Sequence, residues 1–365
     1  MDPRLTPLLQ KEPGWLLPGG PLGDVVVASR VRLARNVDQL AFPLQLDAQA
    51  ADQLAAAASE NLRILTDGDA NPESHGLVLD PRSLGVADAD FVVERSLATR
   101  DLVSADRPTL IYCGPEGLEG VMVNEEDHFR IQGLAAGMDL EAAYERAQHL
   151  ERHLKKAFSF AVSDRYGFLT SCPTNTGSGM RASLMLHLPA LSRAKAPMQR
   201  ALQAARSASL AVRGVHGEGS RALGHFFQIS NQRTLGESSM DQLKAVAEFG
   251  KEVSDYERRT RESFRKEEGS GAVLREDLQR ALESVKDSEA LTTAQALDAL
   301  STLRLGSLLE ATDKMGFACP ADRLLSLSFK LQPGHLQAYS GKEMTPEQRD
   351  AARAGFVRRE LGFAG

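Results

Sequence analysis

The sequence predicts an α+β fold: a mainly antiparallel or mixed β-sheet flanked by helices, then an all-helical C-terminal domain. Strand and helix patterns follow one another in irregular order, without the regular βαβ alternation of a doubly wound sheet. The β-branched, alternating segments all lie before residue 231. From about Met240 the texture changes to charged helical patterns, and no strand pattern follows. A chain of 365 residues exceeds the ~250–300 at which one core stops growing. Two domains are therefore expected, at 20–250 and 255–365.

The first strand is Asp24-Val-Val-Val-Ala-Ser-Arg-Val-Arg-Leu, whose alternation turns Arg30 and Arg32 to one face. Asp47 to Leu65, Ala-rich with spaced leucines, reads as an amphipathic helix ended by turn residues from Thr66. Thr109–Cys113 and Gly120–Asn124 flank a Gly-Pro-Glu-Gly turn and form a hairpin. Leu140–Phe158 reads as a long helix, and Gly167–Ser171, Ala182–Leu188 and His225–Ser230 as strands. Beyond them, Asp255–Glu268 is a charged helix closed by a Gly269-Ser-Gly break, and helical patterns continue to the end.

Composition narrows the class. Apolar residues make up 42% and charged residues 25%, with no run of about 18 uncharged apolar residues to span a bilayer. Met1–Gly20 lacks the apolar stretch of a secretory signal, so a cytoplasmic protein without membrane contact is expected. Cys113, Cys172 and Cys319 are odd in number and widely spaced, which predicts free thiols rather than a disulfide framework or zinc knuckle. The net charge of −6 argues against nucleic-acid binding. Between Asp164 and Glu218, however, there is no acid, while Arg165, Arg181, Arg193, Lys195, Arg200, Arg206 and Arg213 fall there. Such a block is either a solvated basic face or a seat for a polyanion.

Two segments carry candidate chemistry. Asn124-Glu-Glu-Asp-His128 with Arg130 sets three acids beside an arginine at a strand end, as a surface loop or as the seat of a general base. Thr170-Ser-Cys-Pro-Thr-Asn-Thr-Gly-Ser-Gly-Met-Arg-Ala-Ser183 is rich in hydroxyls and glycines. It is either a plain turn or a phosphate cradle, and it is not a Walker loop, since no Gly-Lys-Ser/Thr ends it.

Together these segments closely resemble the ATP:guanido phosphotransferases. Cys172–Ser183 is similar to that family's signature, Asn124–His128 to its acidic motif and Ala28-Ser-Arg-Val-Arg32 to its first phosphate-binding strand. Arg213-Gly-Val-His-Gly-Glu218 and Ile229-Ser-Asn-Gln-Arg-Thr-Leu-Gly236 extend the match in order. The resemblance implies a guanido kinase catalytic domain using ATP and Mg2+, with no dedicated protein metal site. A guanidinium keeps its proton to pH ~12 or above, so a carboxylate must remove it before nitrogen attacks phosphorus. The family pattern makes Glu126 that base, Glu218 the second carboxylate of the clamp, and Cys172 a thiol that touches and orients the acceptor; otherwise Cys172 is an inert buried thiol. Arg30, Arg32, Arg130, Arg181 and Arg213 match the nucleotide-binding arginines. The same carry-over includes Ala28, Ser29, Val31, Ala182, Ser183, Leu184, Met185, Gly214, Val215, His216 and Gly217 as ATP-site positions. His128 and His216 lie inside motifs, in structural or catalytic roles.

The layout resembles the McsB-type protein-arginine kinase branch of that family. Small-molecule phosphagen kinases carry a helical domain before the Ser-Arg-Val-Arg strand, whereas 27 residues precede Ala28 here. That branch has a nucleotide-contacting histidine where Val93-Glu-Arg-Ser96 offers Ser96, a neutral site that either lowers nucleotide affinity or is compensated by a neighbour such as Arg95 or Arg100. Near the end, Thr345 and Gln348 form a capping box with Pro346 at N1. In the helix so started, Arg349, Asp350, Arg353 and Ala354 resemble the branch's phosphoarginine-binding pocket, where an ion-paired helix face is the plainer reading. The implied partners are arginine-bearing protein substrates, a CtsR-type repressor, a ClpC/ClpP protease, an McsA-like activator and a second copy of the chain in a homodimer. A small-molecule guanidino kinase and a non-catalytic phosphoarginine reader are the competing functions.

Overall fold

The computed structural model describes residues 1–66, 76–215 and 222–363. Its strands are β1 (Val26–Arg35), β2 (Leu77–Leu79), β3 (Leu110–Cys113), β4 (Glu119–Val123), β5 (Phe129–Ala136), β6 (Val162–Ser163), β7 (Gly167–Phe168), β8 (Met180–His187), β9 (Leu210–Gly214) and β10 (Phe226–Asn231). Eight of them form one sheet, in the order β2-β3-β4-β5-β1-β8-β10-β9, and β6 pairs with β7 alone. Every neighbouring pair is antiparallel. The helices up to the sheet's last strand are α1 (Thr6–Gln10), α2 (Ala48–Arg63), α3 (Val86–Glu94), α4 (Arg100–Val103), α5 (Leu140–Leu154), α6 (Pro189–Arg193) and α7 (Lys195–Ser207). After it come α8 (Ser239–Lys266), α9 (Glu268–Asp287), α10 (Thr293–Leu308), α11 (Ala321–Lys330), α12 (Pro333–Ser340) and α13 (Pro346–Glu360).

Alternation along the strands divides the sheet into two faces. Val31, Leu33, Ile131, Ala182, Leu184 and Ile229 point to one side and form the main core with Ala143 and Leu150 of α5 and Val246 and Phe249 of α8. Ala28, Leu134 and Phe226 point to the other side, where Leu297, Leu300 and Phe329 of the C-terminal helices cover them together with Trp15. The arginine-bearing end of that second face is left open. The helix α8 runs without interruption through residues 250–255, and residues of the sheet and of the C-terminal helices share one apolar cluster.

Three local expectations need correction. The break expected at Gly269-Ser-Gly falls two residues earlier: the chain breaks at Glu267, and the Gly-Ser-Gly residues lie in the first turn of α9. Glycine costs a helix only about 1 kcal/mol, and the buried stripe Leu274, Leu278, Ala281 and Val285 outweighs it. The helix at 140–158 ends at Leu154, after which Phe158 folds back to Phe129 with ring centroids 5.0 Å apart. The strand at 167–171 stops at Phe168, because Thr170 Oγ1 donates to the Cys172 carbonyl and the Ser171 N–H turns to Asp127.

Candidate active site

The cations are assembled by strand register. On the open face Arg32 of β1 lies directly across from Arg181 of β8. Arg130 of β5 pairs with Ala34, two residues along β1 from Arg32. Arg213 of β9 pairs with Gln228 of β10, and the Gln228 Oε1 accepts from Arg30 Nη2 at 3.2 Å. Period-two geometry thus puts five arginines from four strands on one surface. Burial, above all, pushes the Arg30 guanidinium down to about 10, with the charges of Arg130 and Arg181 acting in the same direction. Arg32 is lowered well below its ordinary value by burial and then by Arg30, and Arg181 is lowered by burial and then by Arg213. Crowded cations that destabilise one another's charge form a preorganised receptor for a polyanion.

Arg32, Arg130, Arg181 and Arg213 line an open cleft of about 560 Å³ together with Glu126, Cys172, Thr174, Asn175 and Gln232. A narrow slot beside it is lined by Ala28, Arg30, Ser96, Ser183 and Met185, with Trp15 and Gln228. The acidic motif and the signature segment therefore meet at the arginine row.

The acidic motif is a tight turn between β4 and β5, entered through Asn124 with φ 58°. Its three acids have three different surroundings. Glu125 is buried, 2.8 Å from Arg130 Nη1, and accepts from Thr99 Oγ1. Glu126 is 3.1 Å from Arg130 Nη2 with its side chain 40% exposed, so one cation holds it while its carboxylate still reaches the cleft. Asp127 is buried, and its Oδ1 accepts from Asn36 Nδ2 and from the Ser171 N–H, both at 2.7 Å. This bond ties the turn that carries Glu126 to the segment that carries Cys172. The Asp127 Oδ2 and Ser171 Oγ beside it are buried without a partner. The Cys172 Sγ lies 3.0 Å from Thr174 Oγ1.

His128 is structural in its contacts: Nδ1 accepts from the Val37 N–H, which leaves Nε2–H to donate to the Ala41 carbonyl. Burial lowers its pKa further.

Not every expected position reaches the cleft. Val31, Ala182 and Leu184 point into the helix-side core, and Ser29 is buried with its hydroxyl on the Gly137 carbonyl, because odd and even residues of adjacent strands face opposite ways. Gly214 ends β9 and Val215 follows it, while His216, Gly217 and Glu218 lie outside the described residues. Neither proposed substitute for a charge at Ser96 faces the slot. Arg95 turns away to donate to the Lys11 carbonyl, and Arg100 pairs with Asp90 on the surface.

The C-terminal motif divides likewise. Arg353 is buried, donating to the Leu331 and Leu291 carbonyls and to Asp350 Oδ1, and Ala354 is buried beside it, whereas Arg349 is half-buried. Residues that motif reading did not single out are Gln228, which bonds Arg30, and Asn36, which bonds Asp127. Only the folded register brings them to the site.

Comparison with known proteins agrees with this geometry. Residues 81–260 match the ATP:guanido phosphotransferase C-terminal catalytic domain, and residues 271–364 match the protein-arginine kinase McsB C-terminal domain. The chain is 36% identical over 357 residues to a protein-arginine kinase of Moorella thermoacetica, covering 97% of this chain and 98% of that one. The chain belongs to the protein-arginine kinases. A second such kinase, from Pelotomaculum thermopropionicum, is 33% identical over 348 residues, with 95% of each chain covered. Among solved structures, the duplicated taurocyamine kinase of Schistosoma mansoni with bound transition-state-analogue components superposes with a TM-score of 0.53 at 26% identity. That match covers 68% of this chain and 34% of the duplicated one. Lombricine kinase shares the fold, with a TM-score of 0.55 at 21% identity over 68% of this chain and 70% of that one.

Among the described residues no group of three or more His, Cys, Asp and Glu side chains converges to hold a metal ion. No described helix is long and apolar enough to cross a membrane.

Proposed function

We infer that the cleft transfers the γ-phosphoryl group of ATP to a guanidinium nitrogen of arginine in proteins. The observation that carries this reading is the meeting of Glu126 and Cys172 with four arginines around one cavity. The nucleoside would enter the slot at Ala28, Ser96, Ser183 and Met185, so that the triphosphate runs along Arg30, Arg32, Arg130, Arg181 and Arg213. Magnesium, the usual companion of ATP, would neutralise charge on the triphosphate, with no protein side chain assigned to hold it.

The acceptor guanidinium would sit between Glu126 and Cys172. Glu126, held by Arg130 at 3.1 Å, takes the proton from the attacking nitrogen as that nitrogen bonds to the γ-phosphorus. The bond from phosphorus to the β,γ-bridging oxygen breaks, its electron pair stays on ADP, and the arginine row stabilises the charge that develops. Cys172 orients the acceptor through its sulfur, with no covalent step. Glu218 is assigned the second clamp by motif alone.

On family likeness we also assign Arg349, Asp350, Arg353 and Ala354 to a phosphoarginine-binding pocket. By the same likeness we place the chain in the cytoplasm as a homodimer, working with a CtsR-type repressor, an McsA-like activator and ClpC/ClpP. The test of the kinase reading is mass spectrometry of an unfolded arginine-rich protein after incubation with magnesium-ATP, with acid avoided because the P–N bond is labile. We expect one phosphate per modified arginine, reduced roughly 10²–10⁴-fold in Glu126→Gln while ATP binding persists. Transfer to free arginine but not to protein would overturn the protein-acceptor reading, and full activity of Glu126→Gln would remove the base.

A further inference from the structure

The slot beside the cleft is smaller than the nucleoside it is to receive. Its free volume is about 20 Å³, room for about one water molecule, against about 560 Å³ in the cleft. A wall must therefore yield when nucleotide binds.

Most of the lining is a floor whose backbone is fixed. Ala28 and Arg30 come from β1, Leu134 from β5, Ser183 and Met185 from β8, and Gln228 from β10. Each of these strands is hydrogen-bonded to a neighbouring strand on both sides, so the floor moves only with the sheet. The roof consists of the two lining residues from outside the sheet, Ser96 and Trp15. Gln132 of β5 donates to the Ser96 carbonyl at 2.6 Å and pins that residue to the sheet. Trp15 is attached less firmly, since its indole N–H donates to the Arg95 carbonyl at 3.4 Å, beyond the usual range for such a bond.

Behind Trp15 stands the C-terminal layer. The indole meets Phe329 of α11 edge-on, with ring centroids 5.1 Å apart. Glu12, in the same N-terminal segment, accepts from Ser326 Oγ and from Lys330 Nζ of that helix. Trp15 is buried, so it cannot shift away from the slot without pressing on α11.

We propose that Trp15 is the yielding roof of the nucleotide slot: an entering nucleoside pushes the indole back against Phe329 and is then covered by it. The proposal rests on the nucleotide reading of the slot given above. A large flat side chain offers a base contact area at little cost in conformational freedom, and aromatic contact tolerates any base because every base has a π-face. The arginine row takes the phosphates. Trp15 therefore acts on the nucleoside part of ATP alone, and its displacement carries the state of the slot to α11.

Trp15 is the sole tryptophan of the chain, so its emission reports on this one position. The experiment titrates the full-length protein with ATP and with tripolyphosphate, both in magnesium, following binding by calorimetry and emission at saturation. We expect both ligands to bind, ATP the tighter, and ATP but not tripolyphosphate to change the emission. In Trp15→Leu the ATP dissociation constant is expected to rise at least about fivefold, with that of tripolyphosphate changed less than about twofold. Tighter binding of ATP than of tripolyphosphate with unchanged emission overturns the proposal. A folded Trp15→Leu protein that weakens both ligands alike, or neither, also overturns it. If Trp15→Leu does not fold, the emission measurement alone decides. Equal affinity of the unaltered protein for ATP and tripolyphosphate would instead overturn the nucleoside reading of the slot, and binding of neither would overturn the nucleotide reading of the cleft.

Discussion

Asp127 shows how one side chain can set the geometry of a site it does not line. Its Oδ1 bonds join the acidic turn to the Ser171 N–H, one residue before Cys172, and to Asn36 at the end of β1. In Asp127→Ala the Ser171 N–H and the Asn36 amide lose a buried acceptor, at a cost of roughly 2–5 kcal/mol for the two. Freed from the acidic turn, Cys172 shifts relative to Glu126, and misplacement of about 1 Å costs on the order of 10²-fold in rate. Turnover is therefore expected to fall by about that factor with the ATP dissociation constant little changed, as single-turnover kinetics and nucleotide binding would show. Loss of nucleotide affinity in parallel with turnover would contradict the assignment. The arginine row obeys the opposite logic, since burial first and neighbouring arginines next disfavour the charges of Arg30, Arg32 and Arg181.

At the scale of elements, two helix starts in the C-terminal layer are stabilised by different means. The helix α13 carries its own cap: Thr345 accepts from the Gln348 N–H, and Gln348 reaches back to the Thr345 N–H, with proline following the cap. The helix α12 has no side-chain cap of its own. Glu94, at the end of α3, accepts instead from the Gly334 and His335 N–H groups at 2.7 and 2.9 Å and from His335 Nδ1 at 2.8 Å. The two helices are so close that a Cβ on Gly334 would lie 2.3 Å from the Phe91 nitrogen. Thr345→Ala is expected to cost about 1 kcal/mol, a typical cap loss. Glu94→Ala leaves two buried N–H groups and a histidine unpaired and is expected to cost roughly 3 kcal/mol. Urea denaturation of both variants would check the order, and equal costs would contradict the capping role of Glu94.

At the scale of the whole molecule, the sheet and the C-terminal helices are joined by a buried polar chain. Arg304 Nη1 donates to His187 Nδ1, so His187 Nε2–H donates to Ser301 Oγ, and the Ser301 hydroxyl donates to His225 Nδ1. Both histidines are neutral in this arrangement. Burial, with Arg193 next, pushes His225 down to about 4, and burial and then Arg304 lower His187 well below its ordinary value. Between pH 6.5 and about 4 the unfolded chain binds a proton at His225 that the folded chain refuses. Stability therefore falls as pH drops through that window, by about 3 kcal/mol for His225 alone. Urea midpoints measured from pH 7 to 4.5 should decline, and His225→Gln should flatten the decline. A slope unaltered in that variant would assign the acid limb to other groups.

Local pattern was enough to determine the strand that bears Arg30 and Arg32, the face those two share, the capping box of α13 and the motifs that identify the chemistry. Period-two alternation and cap chemistry depend on neighbours a few residues away, so they can be read along the chain. Where the neighbour is distant, the sequence is silent. The pairing of Arg32 with Arg181, the bond from Asp127 to Ser171 and the cap that Glu94 lends to α12 all join residues far apart in the chain. Only strand order and register bring those groups within hydrogen-bonding range. The same dependence explains why Arg95 turns away from the nucleotide slot although it adjoins Ser96, because backbone direction at the end of α3, and not adjacency in sequence, decides which cavity a side chain enters.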